Sequence, residues 1–353
     1  MLSTRVTRGR RALTLSPLLA LALITAACGG TTASQTPPAP AAHPHAHTSS
    51  SSTATTDTTT STTTTTDSTS TDHLPGDGTP TFTIGDKNYT EQFVLGQLYL
   101  QALEAQGYTV NINQNIGPTD VTLQALKSGA LAMYPEYLYV LNSSVAHADH
   151  GHANAQDAFD AAQQALVGRG LVLLNMTPFS DTFGVAVTDA YGAGHRLHTL
   201  GDLQRVAGSL TIGGEAQLKD AQLGLPRLDA RYGVKPASFK ALAAGDQYSN
   251  LTDGTVKAAY VNTTDGELAT GFYRLLRDPK QIFGYGNVVP VVSQAAINAE
   301  GPAFVDTIDR VDALLTTRTM RELNLLASVG GQSPSDVAKQ FLQTHGLIPV
   351  GSS

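Results

Sequence analysis

Short β-like runs alternate with helical ones from Thr81 onward, and this alternation most narrows the folds open to the chain. Residues 81–85 read as a strand, 90–106 as an amphipathic helix stopped by Gly107, and 108–112 as a second strand. Pro118 opens a helix at its first position, Gly129 closes it, and 131–134 gives a third strand. The pattern resumes with strand-like runs at 183–187, 209–212, 256–261 and 288–292. Such alternation implies an α/β fold of parallel sheets with helices on both faces. The end differs, because 302–316, 319–327 and 334–345 read as three successive helices. The last of these has a capping Ser333, Pro334 at its first position and Asp336 in its first turn.

Ahead of the fold the chain is of another kind. Arg5, Arg8, Arg10 and Arg11 make a positive start, followed by an apolar run over 13–24 and then Thr25-Ala26-Ala27-Cys28. This order describes a secretory signal peptide over residues 1–27, with a core shorter than the ~20 apolar residues of a membrane span. Cys28, the only cysteine of 353 residues, resembles the cysteine of a bacterial lipobox. That resemblance implies acylation and an extracytoplasmic chain anchored to the cell membrane, on the periplasmic face if an outer membrane exists. Thr25 stands where such motifs usually have leucine, and a plain signal peptide with an incidental cysteine is the alternative. The Arg10-Arg11 pair also suits twin-arginine export. Residues 28–80 are almost entirely Thr, Ser, Ala, Pro, Gly and His, too poor in large apolar side chains to fold. They read as a disordered tether with an r.m.s. span of roughly 40 Å.

The charge narrows the partners. Cleavage after Ala27 removes four arginines and no acid from a chain that already carries −7. An acidic protein argues against nucleic acid and anionic lipid as main partners. Without a second cysteine there is no intramolecular disulfide, so stability must come from a packed core. The sequence has neither a Gly-x-Ser-x-Gly elbow nor a phosphate-cradling Gly-x-x-x-x-Gly-Lys-Ser/Thr loop. Nothing in it argues for an enzyme or for a cofactor.

A family resemblance begins at Ile84-Gly85-Asp86-Lys87-Asn88-Tyr89-Thr90-Glu91-Gln92. It continues through Gln124-Ala125-Leu126-Lys127-Ser128-Gly129, Tyr134-Pro135-Glu136-Tyr137, Thr264-Asp265-Gly266 and Pro290-Val291-Val292. In the tail it includes Met320-Arg321-Glu322-Leu323-Asn324, Asp336 to Leu342, and His345-Gly346-Leu347. In this order the segments resemble the osmoprotectant-binding proteins of ABC importers, which take glycine betaine, choline or carnitine. The resemblance implies a two-lobed periplasmic-binding-protein-like fold with two crossover strands and a helical C-terminal tail. Lobe one would be 81–184 plus 289–348 and lobe two 185–288, with crossovers at 183–187 and near 286–292. It also implies a monomer that closes on a small-molecule ligand and presents it to a permease driven by an ATPase.

A quaternary ammonium has no hydrogen to donate and is held by the negative faces of aromatic rings; the family uses a tyrosine cage. By the resemblance Tyr137 takes the first cage position and Phe183 the second. Asn262 falls at the third, with Tyr260 two residues earlier, and Gly286 at the fourth, beside Tyr285. Strand side chains alternate faces, so Tyr260 keeps the face of Asn262 while Tyr285 points away from that of Gly286. For a ligand carboxylate, Lys87 stands just before a helix start, where backbone N–H groups favour an anion. Lys219 lies near a family arginine whose bidentate fork it lacks, and Val140 replaces a usual threonine or aspartate. Thr264-Asp265-Gly266-Glu267 has capping-box spacing, which gives Asp265 a structural role.

Two other readings stand beside the osmoprotectant one. Asn262 and Gly286 suit the same fold taking a different small polar or zwitterionic solute. His147, His150 and His152, with Asp149 between them, supply zinc-type donors and would make a metal-binding lipoprotein. The alanines and glycine interleaved with them favour a solvated insertion without metal.

Overall fold

The computed structural model describes residues 73–147 and 151–351. The signal-like segment, Cys28, most of the Thr/Ser tract and His150 lie outside the described residues. Order begins before the strand expected at 81, since the Gly76 N–H donates to the Gln106 carbonyl at 2.8 Å.

The first half runs β1 (Phe82–Gly85), α1 (Thr90–Glu104), β2 (Val110–Asn113), α2 (Thr119–Ser128), β3 (Met133–Tyr137), α3 (Leu138–Leu141), α4 (Ala155–Leu166) and β4 (Leu171–Leu173). After a crossing come β5 (Phe183–Thr188), α5 (Asp189–Gly194), β6 (Thr211–Gly214), α6 (Leu225–Tyr232), β7 (Ser238–Ala241), α7 (Gln247–Thr252), β8 (Ala258–Asn262) and β9 (Tyr273–Leu275). The chain then returns as β10 (Val288–Ser293), followed by α8 (Gln294–Glu300), α9 (Pro302–Asp312), α10 (Thr317–Asn324) and α11 (Pro334–Thr344).

Two sheets result, ordered β2-β1-β3-β10-β4 and β7-β6-β8-β5-β9. The expectation of parallel sheets needs correcting, because both are mixed. β1 runs parallel to β2 and β3, whereas β10 is antiparallel to β3 and β4. In the second sheet β6 is parallel to β7 and β8, whereas β5 is antiparallel to β8 and β9. The reversed strands are those that arrive from the other lobe. Both also lie wholly within one sheet, so the exchange occurs over 174–182 and 276–287. There the Asp181 N–H donates to the Gly286 carbonyl at 2.9 Å.

Local chemistry explains most of the remaining elements. Pro118 sits one position outside α2, as its extended N-cap, and Gly129 ends that helix at φ 76°. Ser333 accepts from the Asp336 N–H and Pro334 is the first residue of α11. The helix expected over 319–327 divides instead into α10 and a π turn at Leu325–Val329. The sequence pattern did not announce β4 and β9, which have three residues each, or β7, a mostly exposed edge strand.

The first sheet is buried on both faces. Leu95, Leu98, Phe304, Met320 and Leu342 pack on one side, and Leu126, Leu138, Ala162 and Leu166 on the other. Full burial of one such large side chain contributes about 1.5–3 kcal/mol. The second sheet has its own cores around Leu200, Ile212 and Leu228 and around Tyr248, Leu251 and Val256.

Candidate functional site

Tyr137 ends β3 and is sealed from solvent, with 1% of its surface exposed. Its ring lies between those of Tyr89 and Tyr139, each with its centroid 6.0 Å away. Tyr89 caps α1 and is exposed, whereas Tyr139 is half-buried. The three rings make an aromatic wall on the first lobe, where the ends of β1 and β3 face the crossings.

Carboxyl groups back this wall. Glu91, in the first turn of α1, accepts from the Tyr137 hydroxyl at 2.8 Å and from the Asn324 amide at 2.8 Å. Burial pushes its carboxyl up, opposed by hydrogen bonds from Thr264, Asn324 and Tyr137. Asp181, on the outgoing crossing, is raised well above its ordinary value by burial and then by repulsion from Glu91 and Asp265. Asp265 is pushed up to about 6, mainly by burial. It accepts from the Tyr248 hydroxyl at 2.9 Å and the Asn262 N–H at 3.0 Å. Burial raises the Tyr137 phenol, and Glu91 and Asp181 raise it further. The three π faces themselves favour a cation.

The lobes are tied together beside this wall. Arg321 Nε donates to the Thr263 carbonyl at 2.7 Å, and Asn324 Nδ2 to the Thr264 carbonyl at 2.9 Å. Gly266 makes that approach possible, since a Cβ there would stand 2.5 Å from the Leu325 nitrogen. Asp265 therefore has the structural role expected of it, but not through a capping box. Its carboxylate closes the 262–265 turn, and no side-chain cap forms on the helical turn Gly266–Ala269.

The residues singled out from sequence fall into separate groups. Lys87 is not a free anion contact: its ammonium donates to buried Glu136 at 2.5 Å and to Thr119 Oγ1 at 3.1 Å. Glu136 cannot remain a buried, unpaired carboxylate, and Lys87 supplies the matching charge. Phe183 and Asn262 are direct cross-strand partners in β5 and β8. With Tyr260 they line a small cavity in the second lobe. Tyr260 is buried, packed edge-on against Phe283 at 6.2 Å.

Tyr285 does not join the wall through its hydroxyl, which donates to the Ala153 carbonyl at 2.9 Å. Gly286 cannot carry a ring, because a Cβ there would lie 1.7 Å from the Asp181 carbonyl oxygen. Lys219 is exposed at the end of a 3-10 turn, Ala216–Lys219. His147 is exposed, and His152 lines a different cavity of about 710 Å³ between the lobes. That cavity also has Tyr139, Arg227, Arg231, Lys280 and Tyr285 in its walls. Among the described residues no three His, Cys, Asp or Glu side chains come together as a metal site. No local sequence pattern singles out Tyr89, Glu91 or Tyr139, although all three lie in or beside the motifs that carry the resemblance.

Comparison with known proteins gives a consistent result. Residues 80–344 match the model of the substrate binding domain of ABC-type glycine betaine transport systems. The glycine-betaine-binding protein of Pseudomonas aeruginosa is 30% identical over 291 residues, covering 77% of this chain and 90% of that protein. The glycine betaine-binding protein YehZ of Escherichia coli K12 is 28% identical, covering 77% and 93%. Among solved structures, apo YehZ superposes with a TM-score of 0.66 at 27% identity, over 75% of this chain and 99% of that one. A glycine betaine/carnitine/choline ABC transporter structure gives 0.71 at 20% identity, again over 75% and 99%, and supports the two-lobed fold. The chain thus belongs to the family of substrate-binding domains of ABC-type glycine betaine transport systems.

Proposed function

We propose that this protein captures glycine betaine or a related quaternary amine between its lobes and delivers it to a membrane permease. The observation that carries the reading is the Tyr89–Tyr137–Tyr139 wall backed by Glu91 and Asp181. Aromatic faces hold an ammonium without needing a hydrogen from it, each contact contributing roughly 0.5–2 kcal/mol. Relatives named for glycine betaine and, in Listeria monocytogenes, for carnitine transport support the same ligand class.

In this reading the chain is a monomer without enzymatic activity. It is exported by its signal peptide and held at the membrane by lipid on Cys28. Its partners are a permease and an ATPase. Tyr137 and Phe183 contribute aromatic faces from the two lobes, and the third ammonium hydrogen of Lys87 is left for a ligand carboxylate. A second reading, with a different small polar solute in the same cleft, is favoured by Asn262 and Gly286, where the aromatic enclosure is incomplete.

Thermal-shift titration with glycine betaine, choline, carnitine, amino acids and polyamines separates the two. A ligand at 100 times its Kd adds about 2.7 kcal/mol of stability. A shift with quaternary amines that is lost in Tyr137→Ala supports the first reading. A shift with another solute alone supports the second.

A further inference from the structure

The cavity of about 710 Å³ between the lobes carries a charge opposite to that of the chain. Arg227, Arg231 and Lys280 line it, and among the described residues no Asp or Glu does, although the whole protein carries −7. Arg227 and Arg231 stand four residues apart on α6 and so share one face of that helix. Arg227 Nη1 donates to the Ile282 carbonyl at 2.8 Å. Lys280 Nζ donates to the Arg231 carbonyl at 2.5 Å and lies 4.8 Å from the centre of the Tyr232 ring. Among the described residues neither Arg231 nor Lys280 forms an ion pair. The acids close to them in sequence are engaged elsewhere. Asp229 pairs with Lys235 at 3.5 Å, and Asp278 accepts from the Tyr232 hydroxyl and the Ile282 N–H.

The rest of the wall is of another kind, with Tyr139, Tyr285, Pro226 and Ile282 contributing rings and aliphatic groups. Volume and lining are those of a small-molecule site, apolar with a few convergent charges. A quaternary ammonium is repelled by three cations, so the cavity is no extension of the aromatic wall for that group. A bare inorganic anion meets the charges but leaves the apolar surface uncovered. A molecule with both a charged end and an apolar body satisfies the two parts together. We infer that this cavity is a second binding site, for an organic anion that carries at least two negative charges on an apolar body. The site is independent of which solute the aromatic wall takes.

Calorimetric titration of the full-length protein with three probes tests this: phenyl phosphate, inorganic phosphate and benzyl alcohol. Phenyl phosphate, which has both charge and body, is expected to bind about tenfold or more tightly than either of the others. Arg231→Gln and Lys280→Gln, both at exposed side chains, should each weaken it about tenfold, as loss of one charged hydrogen bond predicts. Neither variant should change the affinity for glycine betaine, and phenyl phosphate should still bind when glycine betaine is saturating. Absence of phenyl phosphate binding, or binding that neither variant weakens, would overturn the inference. Competition between phenyl phosphate and glycine betaine would also overturn it, by making the cavity part of the cargo cleft. Binding of phenyl phosphate with the expected variant effects, in a protein that ignores every quaternary amine, would uphold this site and overturn the quaternary-amine reading alone.

Discussion

The Tyr137 hydroxyl donates a 2.8 Å hydrogen bond to Glu91, and both side chains are buried. The bond fixes the ring that forms the centre of the aromatic wall. It also joins the ring to a buried carboxyl of α1, so the stability of the lobe and the shape of the wall are coupled at one pair.

Tyr137→Phe removes the donor and leaves Glu91 relying on Asn324. The variant should lose about 1–3 kcal/mol of stability while its affinity for a quaternary amine stays within a few-fold of wild type. Tyr137→Ala should abolish binding. Chemical denaturation and calorimetry on the two variants would separate the roles. Equal loss of affinity in both would mean that the hydroxyl, not the π face, contacts the ligand.

Lys87 provides a second discriminating substitution. Lys87→Met leaves Glu136 buried without its counter-charge and should cost about 3–5 kcal/mol. The double variant Lys87→Met, Glu136→Leu should recover much of this loss. If Lys87 acted mainly on a ligand carboxylate, the single variant would weaken glycine betaine binding and leave the unfolding midpoint unchanged.

At Gly286 backbone packing overrides ligand design. Even Gly286→Ala places a methyl 1.7 Å from the Asp181 carbonyl oxygen, so the two crossings must separate. A loss of at least 2 kcal/mol or failure to fold is expected, in the range of overpacked sites. Unaltered thermal unfolding would show that the crossings are looser than their 2.9 Å hydrogen bond implies.

Stability should fall as pH rises from about 5 to 8. Burial lifts Asp86 to about 7 and Asp265 to about 6, and Glu91 and Asp181 shift the same way. The folded chain therefore holds protons that the unfolded chain, with ordinary carboxyls, has released. The stabilisation is complete below about pH 4 and is lost as pH passes through the folded values. Asp86→Asn should flatten the profile and raise stability at pH 8, by roughly 4 kcal/mol at most for a carboxyl lifted to about 7. Urea midpoints between pH 5 and 8 would measure it, and an unchanged slope in the variant would refute the assignment.

Much of this protein was legible along the chain. The alternation of strands and helices, the Ser333-Pro334 helix start and the Gly129 stop depend on local dihedral preferences and hydrogen bonds, which neighbouring residues dictate. Tyr89, Tyr137 and Tyr139, whose rings stack in the first lobe, likewise lie in or beside motifs read along the chain. Sheet direction was not legible, because β5 and β10 run antiparallel only by virtue of arriving from the other lobe. Nor was the pairing of Lys87 with Glu136, 49 residues apart, or the contact of Gly286 with Asp181. Periodicity and capping act over a few residues and are written in order. Charge partners and close backbone approaches depend on distances that exist only after the two lobes have folded.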